Sequence, residues 1–190
     1  MDHSTARSLS ELTRSATLRR LAAIVAGTVL LTIASRIVVP MVPVPITLQT
    51  LAVTLIGALY GWRLGAVTVI AWLAQGAAGL PVFQSGTGGI APFLGPTAGY
   101  LLAFPIVAAF TGWLAQRGWT GQRTGLAFAA MLAGNLLCLA IGGAWLAVMI
   151  GAKQAFLHGV APFIIGGVLK SAVGAGILRL VARPVSREGL

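Results

Sequence analysis

The chain has 190 residues, 57% of them hydrophobic and only 8% charged, with 13 Lys+Arg against 3 Asp+Glu and a formal net charge of +10. Soluble domains carry about 25% charged residues, so this composition cannot clothe a water-facing surface; lipid is the surface it suits. At roughly 20 residues per crossing, the length allows about six spans joined by short loops and leaves no room for a second domain.

Residues 1–18 are polar and basic, with Arg7 and Arg14, and are expected to form a cytoplasmic tail. Arg19 and Arg20 open the first apolar run, about 21–39. It reads as an uncleaved span, because it continues past Arg36 and no small-residue cleavage site ends it. Pro40, Pro43 and Pro45 remove backbone donors and push their predecessors out of helical conformation, so an extended loop follows. The second span is expected over about 47–60, short for a full crossing, and the third over about 64–79 after a tight turn at Gly61-Trp62-Arg63-Leu64-Gly65. Residues 80–96 form the longest loop, uncharged and rich in Gly and Pro. Too apolar for a solvated linker, it is expected to fold back and cover something. The fourth span is about 97–116, kinked at Pro105. A basic turn from Arg117 to Arg123 leads to the fifth, about 125–146, and residues 151–161 connect to the sixth, about 162–181. The whole reads as a single transmembrane domain over 1–190, an all-α bundle of about six helices, with no long-period repeat.

With six spans, the tails and the turns near 62 and 120 share one side. Arg7, Arg14, Arg19, Arg20, Arg63, Arg117, Arg123, Arg179, Arg183 and Arg187 fall there, against Arg36 and Lys153 on the other. Lys and Arg concentrate in cytoplasmic loops, so both termini are expected inside.

Lys170 is the sharpest single signal, because it lies well inside the sixth span while the acids, Asp2, Glu11 and Glu188, all sit near the termini. A buried ammonium without an intramembrane carboxylate either snorkels to an interface or meets an anionic ligand. Asn135, mid-span, can bond a neighbouring helix or read a polar group of a ligand. Gln49, at the top of the second span, and Tyr100, at the top of the fourth, carry the same two readings. Gly86, Gly88 and Gly89 lack the basic residue and helix start of a phosphate loop, and suit close approach of backbone to a ligand or a tight fold. Ala22 and Ala26, four apart on the first span, would let another helix come close. Cys138 reads as a small buried hydrophobe. No nucleotide-binding motif, buried carboxylate, metal-spaced His/Cys/acid cluster or nucleophile–base pair is evident, so catalysis, a metal and a cofactor are not expected. What remains is a covered outer-face site with an unpaired lysine, suited to an organic anion.

Several segments in order resemble the BioY family, the biotin-specific substrate-binding components of energy-coupling-factor transporters. They are Pro43-Val-Pro-Ile-Thr-Leu-Gln-Thr50, the run from Gly76 through Leu80-Pro-Val-Phe83, Gly88-Gly89, Leu94-Gly-Pro-Thr-Ala-Gly-Tyr-Leu101, Gly134-Asn135, Trp145-Leu146, and Pro162-Phe163 through to Lys170. The resemblance implies a six-helix fold with biotin near the outer face under the first and third loops. It implies high-affinity binding by Thr47, Gln49, Phe83, Gly88, Gly89, Tyr100, Asn135, Trp145 and Lys170, and docking of a transmembrane coupling protein at Ala22 and Ala26. Two ATP-binding subunits would complete the transporter in a prokaryotic plasma membrane. One departure stands out: the family often has Pro-Gly-Asp ahead of the lysine, where this chain has Ile165-Gly166-Gly167. The competing reading is a self-sufficient channel or carrier for small organic acids.

Overall fold

A computed structural model describes residues 3–182, with side chains from residue 15 onward. The side chains of Arg7 and Arg14, and all of Arg183 and Arg187, lie outside the described residues.

Helix α1 runs from His3 to Arg36. The segment expected as a tail is therefore helical and continuous with the first apolar run; no Gly or Pro occurs before Gly27 to interrupt it. Its part long and apolar enough to cross a membrane is Ser15–Arg36. The proline-rich stretch that follows is a small hairpin: β1 (Val38–Val39) pairs antiparallel with β2 (Ile46–Thr47), Val38 opposite Thr47.

Helix α2, Gln49–Ala77, is one element only in name. At Gly61 the backbone takes φ 78° and ψ 171°, a conformation that favours glycine, and the chain doubles back. The close approach of the two arms proves the reversal. A Cβ on Gly65 would lie 3.0 Å from the Cα of Gly57, two residues that an unbroken helix would hold roughly 12 Å apart. The arms, 49–60 and 62–77, are antiparallel rods.

Helix α3 (Ala98–Gln116) contains Pro105, α4 spans Thr124–Ile150, and the chain then turns at Gly151 (φ 86°). The expected connection at 151–161 is helical instead. Short α5 (Ala152–Ala155) passes through a widened turn, Phe156–Val160, into α6 (Ala161–Val181). Pro162 has no N–H for the carbonyl one turn back, which accounts for a loosened turn at this place. Five helical stretches are long and apolar enough to span a membrane, and the reversal within α2 makes six rods among the described residues.

α3 is the most enclosed of these rods and α1 the least. Glycine makes the close contacts possible: a Cβ on Gly112 of α3 would collide with the backbone at Gly61 and Trp62. The core gathers Leu31, Val53, Ile56, Trp72, Phe83, Phe104 and Val107. Thr54, Thr68 and Thr111 are fully buried, and each hydroxyl donates to a carbonyl of its own helix, so none is left unpaired in an apolar interior. Outward faces are apolar instead of charged: Leu21, Val25, Val29 and Ile33 on α1, and Ile165, Leu169 and Leu180 on α6 are exposed. In water that arrangement would aggregate; against lipid it is the stable one.

The two ends of the bundle differ in charge. At one end Arg63 stacks on Trp62 and Arg117 on Trp113, beside Arg179 where the turn at Gly121 meets α6. At the other lie the β hairpin and the long loop.

Candidate binding site

A cavity of about 300 Å³ opens near the end that carries the hairpin and the loop. Five segments wall it. Val44, Pro45, Thr47, Gln49 and Thr50 come from the hairpin and the start of α2. Phe83, Gln84, Thr87, Gly88, Ala91 and Pro92 come from the loop, which forms a roof. Three helices each present one stripe: Thr97, Tyr100, Leu101 and Phe104; Asn135, Cys138 and Leu139; Phe163, Gly167 and Lys170. Spacings of three and four put these residues on single helix faces.

The roof is seated by aromatic packing. Phe83 is almost wholly buried, edge-on to Trp72 at 4.9 Å and to Phe93 at 5.5 Å between centroids. Its ring lies directly on Gly76, where any Cβ would collide with it. The roof's far end is tied by Trp145, whose Nε1 donates to the carbonyl of Gly95 at 3.1 Å. Tyr100 stacks on Phe163 and donates its hydroxyl to the carbonyl of Gly159 at 2.7 Å, so its ring is a wall and its donor is already used.

The polar groups divide into committed and available ones. Ser35 donates to its own helix at Leu31, so its oxygen must accept from Gln49 Nε2 (2.9 Å), which leaves Gln49 Oε1 to accept from Thr47 (2.9 Å). Gln49 is thus largely spent on holding the wall. Asn135 Nδ2 donates both to the carbonyl of Met131 (3.0 Å) and to Ser171 Oγ (3.1 Å). A carbonyl only accepts, which fixes the amide orientation and leaves Oδ1 as an acceptor with no partner among the described residues. Lys170 Nζ donates to Thr50 Oγ1 at 3.2 Å and retains two further N–H groups. Among the described residues no carboxylate lines the cavity. The arrangement can hold a molecule with an apolar middle, an anionic or strongly accepting group near Lys170 and an N–H near Asn135.

Of the residues singled out in the sequence, Thr47, Gln49, Phe83, Gly88, Tyr100, Asn135 and Lys170 come together here. Gly89 and Trp145 do not line the cavity; the Gly89 N–H bonds the carbonyl of Gly76, and Trp145 acts on the roof from outside. Ala22 and Ala26 are exposed on α1, roughly 13–20 Å along the helix from Ser35. Sequence reasoning passed over Thr50, Ser171 and the wall position of Cys138. The last could have been read from its place three residues after Asn135, whereas Thr50 and Ser171 matter only through tertiary partners.

The comparisons follow the same outline. A family model described as the BioY family matches residues 6–187. The chain is 38% identical over 143 residues to a probable biotin transporter BioY of Pyrococcus horikoshii, covering 75% of this chain and 83% of that protein. It is 40% identical over 148 residues to the biotin transporter BioY of Rhizobium etli, covering 74% and 79% respectively. Among solved structures, the S-component for biotin from an ECF-type ABC transporter superposes with a TM-score of 0.76 at 26% identity, covering 87% of this chain and 92% of that one.

Proposed function

The chain belongs to the BioY family, and from that premise we propose that it is the biotin-binding component of an energy-coupling-factor uptake transporter in a prokaryotic membrane. The observation that carries the reading is the cavity: aromatic and aliphatic walls, a free acceptor at Asn135, a cation at Lys170 and, among the described residues, no acid. Biotin is an apolar chain with a carboxylate at one end and a ureido ring bearing N–H groups at the other. The cation suits the carboxylate, and the free Asn135 oxygen suits a ureido N–H. Small-molecule sites commonly combine a mostly apolar lining with a few placed polar groups in this way.

The finer parts of the proposal concern orientation and partners. The Arg63, Arg117 and Arg179 end suits the cytoplasmic face, which supports a roof outside and both termini inside. Ala22 and Ala26 are exposed on the least enclosed helix, where a helix of a transmembrane coupling protein could approach closely. Two ATP-binding subunits would supply the energy through that coupling protein.

Calorimetric titration of the purified chain with biotin tests the central claim. Saturable one-to-one binding is expected, with carboxyl-amidated biotin binding more weakly. An absence of heat or competition at millimolar biotin would overturn it.

A further inference from the structure

The last turn of α1 grips the cavity at two adjacent positions. Ser35 accepts from Gln49, which lines the wall, and Arg36 donates from Nη2 to the carbonyl of Pro81 at 2.6 Å, at the start of the roof. The roof also folds around this guanidinium at Gly86. That residue has φ +78°, and a Cβ there would lie 2.5 Å from Arg36 Nη1. Ser85 beside it is left-handed as well, at φ +53°. Arg36 and Gly86 do not line the cavity, yet Phe83 and Gln84, which lie between Pro81 and Gly86, do. One side chain therefore reaches both feet of the segment that closes over the ligand space.

No Asp or Glu occurs among residues 15–182, whose side chains are described, so Arg36 has no acid to pair with among them. The side chain is exposed, so its bond to the roof competes with water and can open. We propose that Arg36 is a positioning residue for ligand retention, a latch that holds the roof segment 81–86 closed and whose release sets how fast the ligand leaves. The latch sits on the same rigid helix that bears Ala22 and Ala26. A tilt of α1 would therefore act on the roof through Arg36 and on the wall through Ser35 and Gln49 together. For biotin as the ligand, this inference rests on the function proposed above.

The test uses the full chain and three readouts: biotin dissociation by chase, melting temperature without ligand, and reaction of Cys138 with a small methanethiosulfonate reagent without ligand. Cys138 is the only cysteine, is buried, and lies in the cavity wall, so its reaction rate reports opening of the site. Arg36→Ala should raise the dissociation rate about three- to tenfold, less than a fully buried charged hydrogen bond would give. It should accelerate Cys138 modification by a similar factor, with association and melting temperature unchanged. Arg36→Lys should recover most of the retention. Gly86→Ala, which crowds the guanidinium while keeping Arg36, should mimic Arg36→Ala. Unchanged dissociation and Cys138 rates in Arg36→Ala would overturn the latch, as would acceleration matched by a fall in melting temperature that Arg36→Lys does not reverse. If the parent chain fails to bind biotin, the functional reading falls, while the Cys138 comparison still decides the latch.

Discussion

Lys170 Nζ and Thr50 Oγ1 lie 3.2 Å apart, joining the middle of α6 to the first turn of α2. It is the one hydrogen bond the ammonium makes among the described residues. Placing a lysine at mid-membrane depth costs at least about 2.5 kcal/mol on insertion scales. A threonine hydroxyl satisfies one donor but neutralises nothing. The remaining donors point to a ligand that brings its own negative charge.

Lys170→Met keeps most of the stem and removes the charge. Loss of a hydrogen bond to a charged group is worth about 1.5–3 kcal/mol, or roughly ten- to a hundred-fold in affinity. Titration of the variant should show that loss for biotin and a much smaller one for the carboxyl-amidated derivative. Equal weakening of both ligands would mean that Lys170 does not read the carboxylate.

Asn135 should show no such selectivity. Its Oδ1 is free to accept, while its Nδ2 bridges α4 to Ser171 on α6. Asn135→Leu should weaken biotin and the amidated derivative alike, by roughly five- to a hundred-fold, and lower the melting temperature because Ser171 loses a partner. Ser171→Ala separates the two effects: it should lower stability with little change in affinity. A large affinity loss in Ser171→Ala would show that Asn135 acts by orienting α6 and not by touching ligand.

Gly76 supports the roof from below, with the Phe83 ring lying on it. Gly76→Ala should displace that ring from its place against Trp72 and reduce biotin affinity, at an overpacking cost of about 1–3 kcal/mol. Pairing it with Phe83→Leu, which shortens the intruding side chain, should return part of the lost binding. If the double variant is simply the sum of two losses, the Gly76–Phe83 contact does not govern the roof.

Much of this was legible from composition and from breakers. The hydrophobic runs marked the rods, and the glycine-flanked segment from Gly61 to Gly65 marked the reversal between the second and third, which the structure makes at Gly61 alone. The roof was legible too: an uncharged loop that long must fold onto something. The helical path from Ala152 through the widened turn was not, since a π-like turn leaves no hydrophobic period of its own. Nor was the helical start of α1, whose polar, serine-rich and basic sequence reads as a solvated tail. Within the site, Lys170 and Asn135 stood out as polar residues in apolar spans. Thr50, Ser171 and Arg36 did not, because each draws its meaning from a partner far along the chain: Thr50 from Lys170, Ser171 from Asn135, and Arg36 from Pro81.

The last prediction separates binding from transport. Ala22 and Ala26 face outward on α1, among exposed Leu18, Leu21, Val25 and Val29, and far from the cavity. Their neighbours Gly27 and Thr28 are buried against the rest of the bundle, so the same helix has an inner face already occupied and an outer face that is not. Enlarging the outer residues should therefore leave the fold intact while preventing a partner helix from approaching closely. In Ala22→Leu/Ala26→Leu, biotin titration and melting temperature of the isolated chain should match the parent. Co-purification with a transmembrane coupling protein and uptake of biotin by cells expressing the whole transporter should fall several-fold. Replacement of Val25 by Leu, on the same exposed face but not in the small-residue pair, should have little effect and serves as the control. If the double variant binds biotin less well, or melts earlier, the alanines serve packing within the chain. If binding, stability and uptake are all unchanged, the coupling protein docks elsewhere.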